Sequence, residues 1–132
     1  MTFGVFDLIH DGHRHLFTDA RKLGTELVVV LATDSIVNAL KGNFPVNSFL
    51  QRAKNLKREA LADIIIPGDE ILDSWTAVTK YNPDTIVLGY DQTKLAKSLE
   101  KFIKKNLLST KIIKIKPYKG KILHSSVIKV KM

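Results

Sequence analysis

The sequence predicts an α/β protein in which helices cover both faces of a five-stranded parallel sheet. Short apolar runs alternate along the chain with longer segments whose apolar residues recur at helical spacing. The run ELVVVLA at residues 26–32 is almost wholly apolar and rich in valine, which is typical of a strand buried on both faces of a parallel sheet. Neither a linker nor a repeat interrupts the alternation, so we expect one domain over residues 1–132.

The first half of the chain contains three predicted strands and two predicted helices. The run at residues 26–32 is the second of these strands. Residues 1–4 form a short apolar start, and residues 11–23 carry apolar side chains at helical spacing before a glycine stop. Ser48, with a glutamine three residues later, has the signature of a capping box and opens a helix over residues 48–61. The strand at residues 63–66 then ends at a Pro-Gly pair.

The second half adds two helices and two strands. Asp73 or Ser74 is expected to cap a helix that stops at an Asn-Pro pair, because the residue before proline disfavours helical backbone. Residues 84–88 follow as a strand, residues 94–107 as a helix with lysines on its outer face, and residues 111–116 as the fifth strand. This alternating order predicts a Rossmann-like, doubly wound parallel sheet.

Composition and charge narrow the class of protein. The chain has no cysteine, which excludes disulfides and thiolate metal sites and fits a reducing, cytoplasmic location. It has no apolar run of membrane-spanning length, so we expect no membrane partner. The net charge is +8, and residues 93–132 carry 12 lysines and one acid. This basic third suits a polyphosphate, nucleic acid, or simply a solvated helix face.

The strongest candidate site is the first strand-to-helix turn, which reads GVFDLIHDGH. In wound parallel sheets, ligands bind beyond the carboxyl ends of the strands. Gly4 lets the backbone turn sharply and leaves the amides of Val5 and Phe6 able to face a ligand, while the next helix presents free N–H groups and a positive dipole end. His10 and His13 flank that helix start and are suited to donate to phosphate oxygens. The turn therefore favours an anion whose charge builds on phosphorus during displacement.

Other roles for the histidines stay open. A histidine pair can ligate a metal, but zinc sites need a third protein ligand and cysteine is absent, so we expect no metal site. The pair can also be ordinary polar residues at a helix start, and His15 is interpreted in that way. Neither the dinucleotide fingerprint G-x-G-x-x-G nor the P-loop pattern G-x-x-x-x-G-K-[ST] is present.

The turn resembles the G-x-F-D-x-x-H-x-G-H signature of the cytidylyltransferase-like nucleotidyltransferases, small α/β enzymes that include glycerol-3-phosphate cytidylyltransferase and archaeal FAD synthase. Two more segments carry the resemblance. The family's second-strand segment is similar to ATDSIVNALKGNFP, with Asp34 after the strand and Lys41 in the following loop. The motif after its fourth strand is similar to LGYDQ at residues 88–92. The resemblance covers essentially the whole chain.

This resemblance implies a reaction in which a phosphate monoester attacks the α-phosphate of a nucleoside triphosphate and pyrophosphate leaves. A monoester is already an oxyanion at neutral pH, so positioning and charge stabilisation suffice without a general base. His10 and His13 would stabilise the α-phosphoryl transition state, and Lys41 would neutralise phosphate charge. The implied nucleotide-binding residues are Gly4, Val5, Phe6, Asp7, Gly89, Asp91, Ser125 and Ser126, with Asp34, Arg52, Tyr90 and Gln92 as further candidates. Mg²⁺ is expected to enter with the triphosphate.

The late motifs favour ATP and FMN as substrates. The R-T-x-G motif of glycerol-3-phosphate cytidylyltransferases is missing, and LGYDQ with a late serine pair looks more like archaeal-type FAD synthase. Ser125 and Ser126 would bind the β- and γ-phosphates, or would simply cap a helix. Asp91 would orient ribose or a divalent ion, or cap the next helix, and Arg52 would reach phosphate or be solvated. The alternative is a cytidylyltransferase acting on glycerol 3-phosphate or another monoester.

The expected partners are a nucleoside triphosphate and a phosphate-monoester acceptor. The basic C-terminal third would also suit a nucleic-acid-binding module on a fold that has lost catalysis. It lacks the interleaved aromatic residues of single-strand binders, so nucleic acid is not the partner we expect. Relatives in this family commonly dimerise, which makes a homodimer an expectation.

Replacing His13 with alanine is expected to lower turnover by about 100-fold or more, because a donor to the transition state is lost. The measurement is pyrophosphate release by the purified protein, with circular dichroism to check that the fold is kept. Near-normal turnover in a folded His13→Ala protein would contradict the assigned role.

Overall fold

The computed structural model describes residues 1–116, in which parallel strands alternate with helices. The elements are β1 (Thr2–Gly4), α1 (Asp11–Arg21), β2 (Val28–Leu31), α2 (Asp34–Lys41), α3 (Phe49–Arg58), β3 (Ile64–Pro67), α4 (Thr76–Tyr81), β4 (Thr85–Gly89), α5 (Thr93–Lys105) and β5 (Lys111–Ile115). Each predicted strand and helix in this range is present, so the α/β class is confirmed. The predicted phosphate-binding residues Ser125 and Ser126 lie outside the described residues. In the described part of the chain, none of the helices is long and apolar enough to cross a bilayer.

Helix α2 is not among the predicted elements. Lys41 is predicted to lie in a loop, whereas it is the last residue of this helix, so that prediction is wrong. Thr33 caps the helix, since its hydroxyl accepts from the Ile36 N–H at 3.4 Å, and Gly42 ends it with a left-handed φ of 81°. A threonine cap and a closing glycine are sequence signals from which this short helix can be identified.

The strands pair in parallel, as predicted, but they do not form one continuous sheet. β1, β2 and β3 form one hydrogen-bonded sheet in the order β1-β2-β3, and β4 pairs with β5 in a second. The predicted five-stranded sheet is therefore wrong in its continuity, because the described residues form two sheets of three and two strands.

The two sheets meet where β1 and β4 lie side by side. The Met1 amino group donates to the Thr85 carbonyl at 2.9 Å, and the Val87 N–H donates to the Met1 carbonyl at 2.8 Å. Further along, the Thr2 hydroxyl donates to the Val87 carbonyl at 2.6 Å. A side chain thus occupies the acceptor that a backbone N–H would take in a continuous ladder, and β1 has only three residues with which to extend the pairing.

Helices lie on both faces of the strands, as predicted, and each face has its own apolar core. On one face, Val30 of β2 belongs to a buried cluster that includes Val78 of α4. On the opposite face, Val29 belongs to a cluster with Phe17 of α1 and Leu56 of α3. Successive residues of β2 therefore point to opposite cores, which explains why its sequence is continuously apolar.

The helix caps agree only partly with the sequence. The predicted cap Ser48 is confirmed, because its hydroxyl accepts from the N–H three residues further on at 3.3 Å. The predicted caps Asp73 and Ser74 are wrong for α4. The carboxylate of Asp69 performs that role instead and accepts from the Thr76 N–H at 2.8 Å. Asp69 lies seven residues before that N–H, so a search limited to the residues next to the helix misses it.

Replacing Thr2 with valine keeps the shape of the side chain and removes the hydroxyl that bonds to Val87. Because Thr2 is fully buried, the Val87 carbonyl loses its partner, and the free energy of unfolding is expected to fall by about 1 to 3 kcal/mol. Urea denaturation measures this change. The matched control is Thr79→Val on the exposed side of α4, which should leave stability unchanged. Equal stability of Thr2→Val and the parent protein would show that the hydroxyl does not hold the junction.

Candidate active site

The ring of Phe6 shapes the turn after β1. Phe6 has left-handed backbone with φ of 48°, and its buried ring lies 4.9 Å from the Phe17 ring and 5.2 Å from the His13 ring, measured between centroids. The same ring covers Gly4, where a Cβ would stand 2.6 Å from Phe6 Cζ. Gly4 is therefore needed for this close approach, whereas the left-handed residue of the turn is Phe6.

His10 and His13 cap helix α1 and stack on each other. The Nδ1 of His10, the N-cap residue, accepts from the N–H groups of Gly12 at 3.0 Å and His13 at 3.4 Å. In return the Nδ1 of His13 accepts from the His10 N–H at 3.3 Å, which completes a capping box built from two histidines. The ring centroids are 3.8 Å apart and the rings are 17° from parallel. A Cβ on Gly12 would stand 2.8 Å from His10 Cε1, which explains the glycine between them.

These capping contacts also determine what the rings can donate. Since Nδ1 of each ring accepts a hydrogen bond, a neutral ring carries its proton on Nε2, which is then a donor. Burial, followed by the nearby His10 and Arg14, lowers the pKa of His13 from 6.5 to about 4, against a hydrogen bond with the Leu8 backbone that raises it. His13 is thus neutral at pH 7 and offers an N–H dipole rather than a full charge.

Arg52 is the buried centre that joins three loops around the turn. Its guanidinium is fully buried and donates from Nε to the Asn47 carbonyl at 3.0 Å and from Nη1 to the Val5 carbonyl at 2.9 Å. Its Nη2 donates to the Asp34 carboxylate at 2.6 Å. The expectation that Arg52 is solvated is therefore wrong. All three nitrogens bind the protein itself, so Arg52 positions the loops.

Asp7 connects the turn at residues 4–13, which we call the histidine turn, to the loop before α3. Its carboxylate accepts from the N–H groups of Val46 at 2.6 Å and Asn47 at 2.8 Å, and the Asn47 side-chain amide donates to the Asp7 carbonyl at 2.8 Å. Both carboxylate oxygens of Asp7 thus hold this loop, and the nucleotide-binding role implied for Asp7 stays a prediction. Asn47 is not among the residues predicted from the sequence, because an asparagine before a helix cap is typical of any turn.

Gln92 joins the carboxyl ends of β4 and β1 through its side chain. Its Oε1 accepts from the Gly89 N–H at 2.7 Å, and its Nε2 donates to the Phe3 carbonyl at 3.0 Å. A Cβ on Gly89 would stand 3.1 Å from the Asp91 carboxylate, so this turn is tight. Tyr90 and Asp91 are exposed at the same edge. The LGYDQ segment therefore follows directly on the junction of the two sheets.

The structure brings only part of the predicted site together. The histidine turn and the loop at residues 89–92 follow neighbouring strands and share one edge. Asp34 is paired with Arg52, while Lys41 is exposed at the end of α2, and no hydrogen bond or ion pair joins its side chain to residues 1–116. The role predicted for Lys41 in neutralising phosphate charge and the candidacy of Asp34 for nucleotide binding stay predictions.

Two stacked histidines at a helix N-terminus, beside the carboxyl ends of parallel strands, form an arrangement in which α/β proteins bind phosphate groups. Across the fold the strands lie in the order β3, β2, β1, β4, β5, so the order reverses direction between β1 and β4. Wound parallel folds bind nucleotides at such a point of reversal. The chain belongs to the cytidylyltransferase-like family, whose model matches residues 1–130, and it is a nucleotidyltransferase.

Similar proteins support this assignment along the whole chain. The FAD synthase of Thermococcus sibiricus is 40% identical over 118 residues, which cover 89% of this chain and 79% of that protein. The FAD synthase of Thermoplasma volcanium is 36% identical over 132 residues, covering 100% and 92%. A crystal structure described as the lipopolysaccharide core biosynthesis protein from Thermoplasma volcanium GSS1 matches with a TM-score of 0.80 and 37% identity, covering 89% of this chain and 95% of that one. The predicted family is confirmed.

The lowered pKa of His13 determines how the site responds to pH. The folded chain protonates His13 only at about pH 4, whereas the unfolded chain does so near 6.5. The unfolded state therefore binds more protons between these values, so the contribution of His13 to stability is complete above pH 6.5 and is lost as the pH falls toward 4.

NMR titration of the His13 ring, assigned with a His13→Gln variant, is expected to show no protonation from about pH 8 down to about pH 5. The same variant should lose less stability than the parent protein as the pH falls through this range, because its side chain does not titrate. A His13 transition near pH 6.5 would contradict the burial seen for this ring.

Proposed function

We propose that this chain transfers the AMP unit of ATP to the phosphate of FMN, forming FAD and releasing pyrophosphate. The stacked pair of His10 and His13 at the N-terminus of α1 is the observation that carries the proposal. The choice of substrates is supported by the FAD synthase relatives, which are 40% and 36% identical over most of the chain.

The reaction is a displacement at the α-phosphorus of ATP. An ionised oxygen of the FMN phosphate forms the new P–O bond, while the bond from the α-phosphorus to the α,β-bridging oxygen breaks and pyrophosphate leaves with the electron pair. The nucleophile has no proton to lose, so no general base is required. Catalysis then depends on positioning and on donors aimed at the oxygens where charge develops.

We infer that the donors are the Nε2–H groups of His10 and His13, and that the Nε2–H of His13 exchanges its hydrogen bond with the Leu8 backbone for one with phosphate when substrate binds. Because the backbone holds Nδ1 of each ring, the rings are oriented before substrate binds, and no reorganisation is needed as the reaction proceeds. A neutral His13 also avoids the repulsion between two cationic rings 3.8 Å apart. The positive end of the α1 dipole adds to the attraction for phosphate.

The nucleotide is proposed to lie across the junction of β1 and β4. Gly89, Tyr90 and Asp91 are available there, and Gln92 holds the two strand ends together. Mg²⁺ would arrive as the complex with ATP, because this ion keeps phosphate and water oxygens as most of its ligands. Residues 1–116 contain no group of three His, Asp or Glu side chains arranged for a metal. A cytoplasmic location and a homodimer also remain predictions.

A cytidylyltransferase is the second candidate, because the family that matches the chain is the cytidylyltransferase-like one. The structurally similar protein is described as a lipopolysaccharide core biosynthesis protein. Both candidates share the histidine chemistry and differ in the base of the nucleotide and in the acceptor.

The test is magnesium-dependent pyrophosphate release with ATP and CTP separately, each against FMN, glycerol 3-phosphate and several sugar phosphates. Release with ATP and FMN alone is expected, with FAD as the chromatographed product and with EDTA abolishing the reaction. Release with CTP and glycerol 3-phosphate would overturn the substrates while keeping the reaction class. No pyrophosphate release with any pair would contradict the proposed reaction for these acceptors.

A further inference from the structure

We propose that the groove between the histidine turn and helix α3 binds the ring system of the flavin acceptor. This inference rests on the proposed function and names the acceptor subsite. The groove has a volume of about 270 Å³. Its lining includes Leu8 and Ile9 from the turn and Asn47, Asn55 and Arg58 from the α3 side. A space of this size is near the lower limit for small-molecule sites and suits one planar ring system rather than a dinucleotide.

The position of the groove fits an acceptor. Ile9 lines it and the next residue is His10, the N-cap of α1, so the groove borders the segment that leads into the histidine pair. The groove borders α3, which packs on the same face as α1, whereas the nucleotide is proposed to occupy the junction of β1 and β4. Displacement at phosphorus requires the acceptor and the leaving pyrophosphate on opposite sides. The acceptor in the groove and the nucleotide at the junction of β1 and β4 would occupy two separate regions that adjoin at the histidines, which satisfies this requirement.

The charged side chains of the lining are already paired with the protein. The Asp7 carboxylate accepts two backbone N–H groups. Glu59 accepts from Arg14 Nε at 2.8 Å and Nη2 at 3.3 Å, and Arg58 donates to Asn55 Oδ1 at 2.7 Å. Such a groove has little attraction for a phosphate and suits an uncharged group. The flavin ring belongs there, and the phosphate of the same molecule belongs at the histidines.

The asparagines match the polar edge of a flavin. Asn47 donates with its side-chain nitrogen to Asp7, so the oxygen is the atom that it offers to the groove. Asn55 accepts with its side-chain oxygen from Gln51 and Arg58, so it offers the nitrogen. A flavin ring presents one imide N–H between two carbonyl oxygens. The N–H is complementary to the Asn47 oxygen, and a carbonyl is complementary to the Asn55 nitrogen.

Leu8 supplies the apolar surface for the flat face of the ring. Its side chain is 62% exposed, although it belongs to a turn that Asp7 holds in place. Covering an exposed leucine with a planar apolar ring removes that surface from water, which is favourable.

The test compares Leu8→Ala with Leu50→Ala. Leu50 is 79% exposed on α3 and is not part of the groove lining, so it is the matched control. Leu8→Ala is expected to raise the KM for FMN about fivefold, with the KM for ATP and kcat changed less than about twofold, because only acceptor contact area is lost. Riboflavin, which has the ring and no phosphate, should bind more weakly by a similar factor in a fluorescence titration. Leu8→Met should restore both values.

The outcomes separate this inference from the proposed function. If the parent protein does not convert ATP and FMN, the proposed function fails. If the parent protein is active and Leu8→Ala matches Leu50→Ala in FMN KM and riboflavin affinity, only the groove assignment is overturned. An equal rise in the KM for ATP and for FMN would also overturn it, since Leu8 would then act on the whole turn.

Discussion

The guanidinium of Arg52 is buried without access to water, and the arrangement of the site depends on how it is satisfied. Removing a cation from water costs several kcal/mol, so its bonds to Val5, Asn47 and Asp34 must all be in place for the charge to be tolerated. These three acceptors belong to the histidine turn, the loop before α3 and the first residue of α2. Asp7 holds the same loop a second time. These three segments are therefore fixed relative to one another by the folded chain itself.

The break between the two sheets gives the site its place. Along most of a parallel sheet, backbone hydrogen bonds would hold β1 against β4, but here the side chains of Thr2 and Gln92 make the connection beyond Met1. Gln92 thus links the carboxyl ends of the two strands at the edge where wound parallel sheets bind their ligands. In the proposed reaction, the segments held by Arg52 and the strand ends linked by Gln92 would border the two substrates.

Much of the fold follows from local sequence, and much of the site does not. The strands are identifiable because a strand buried on both faces needs a continuous apolar run, as in the valines of β2. The positions of His10 and His13 follow from the same turn pattern. The burial of Arg52 does not, because its partners lie up to 47 residues away in the sequence. The neutral state of His13 cannot be predicted from the sequence either, because it arises from burial of the ring once the chain has folded. Sheet continuity also depends on contacts between residues about 85 positions apart.

The two histidines cap the helix with Nδ1, and in the proposed reaction Nε2 of the same rings donates to the ligand. Selection for a stable helix and selection for catalysis therefore act on the same two positions. A descendant that lost the enzymatic activity would still be under pressure to keep a capping side chain where His10 stands, and serine, threonine, asparagine and aspartate satisfy that need without an imidazole. In lineages of this fold, replacement by one of those four residues would mark the loss of chemistry under continued selection for the fold, whereas replacement by an apolar residue would mark the relaxation of both.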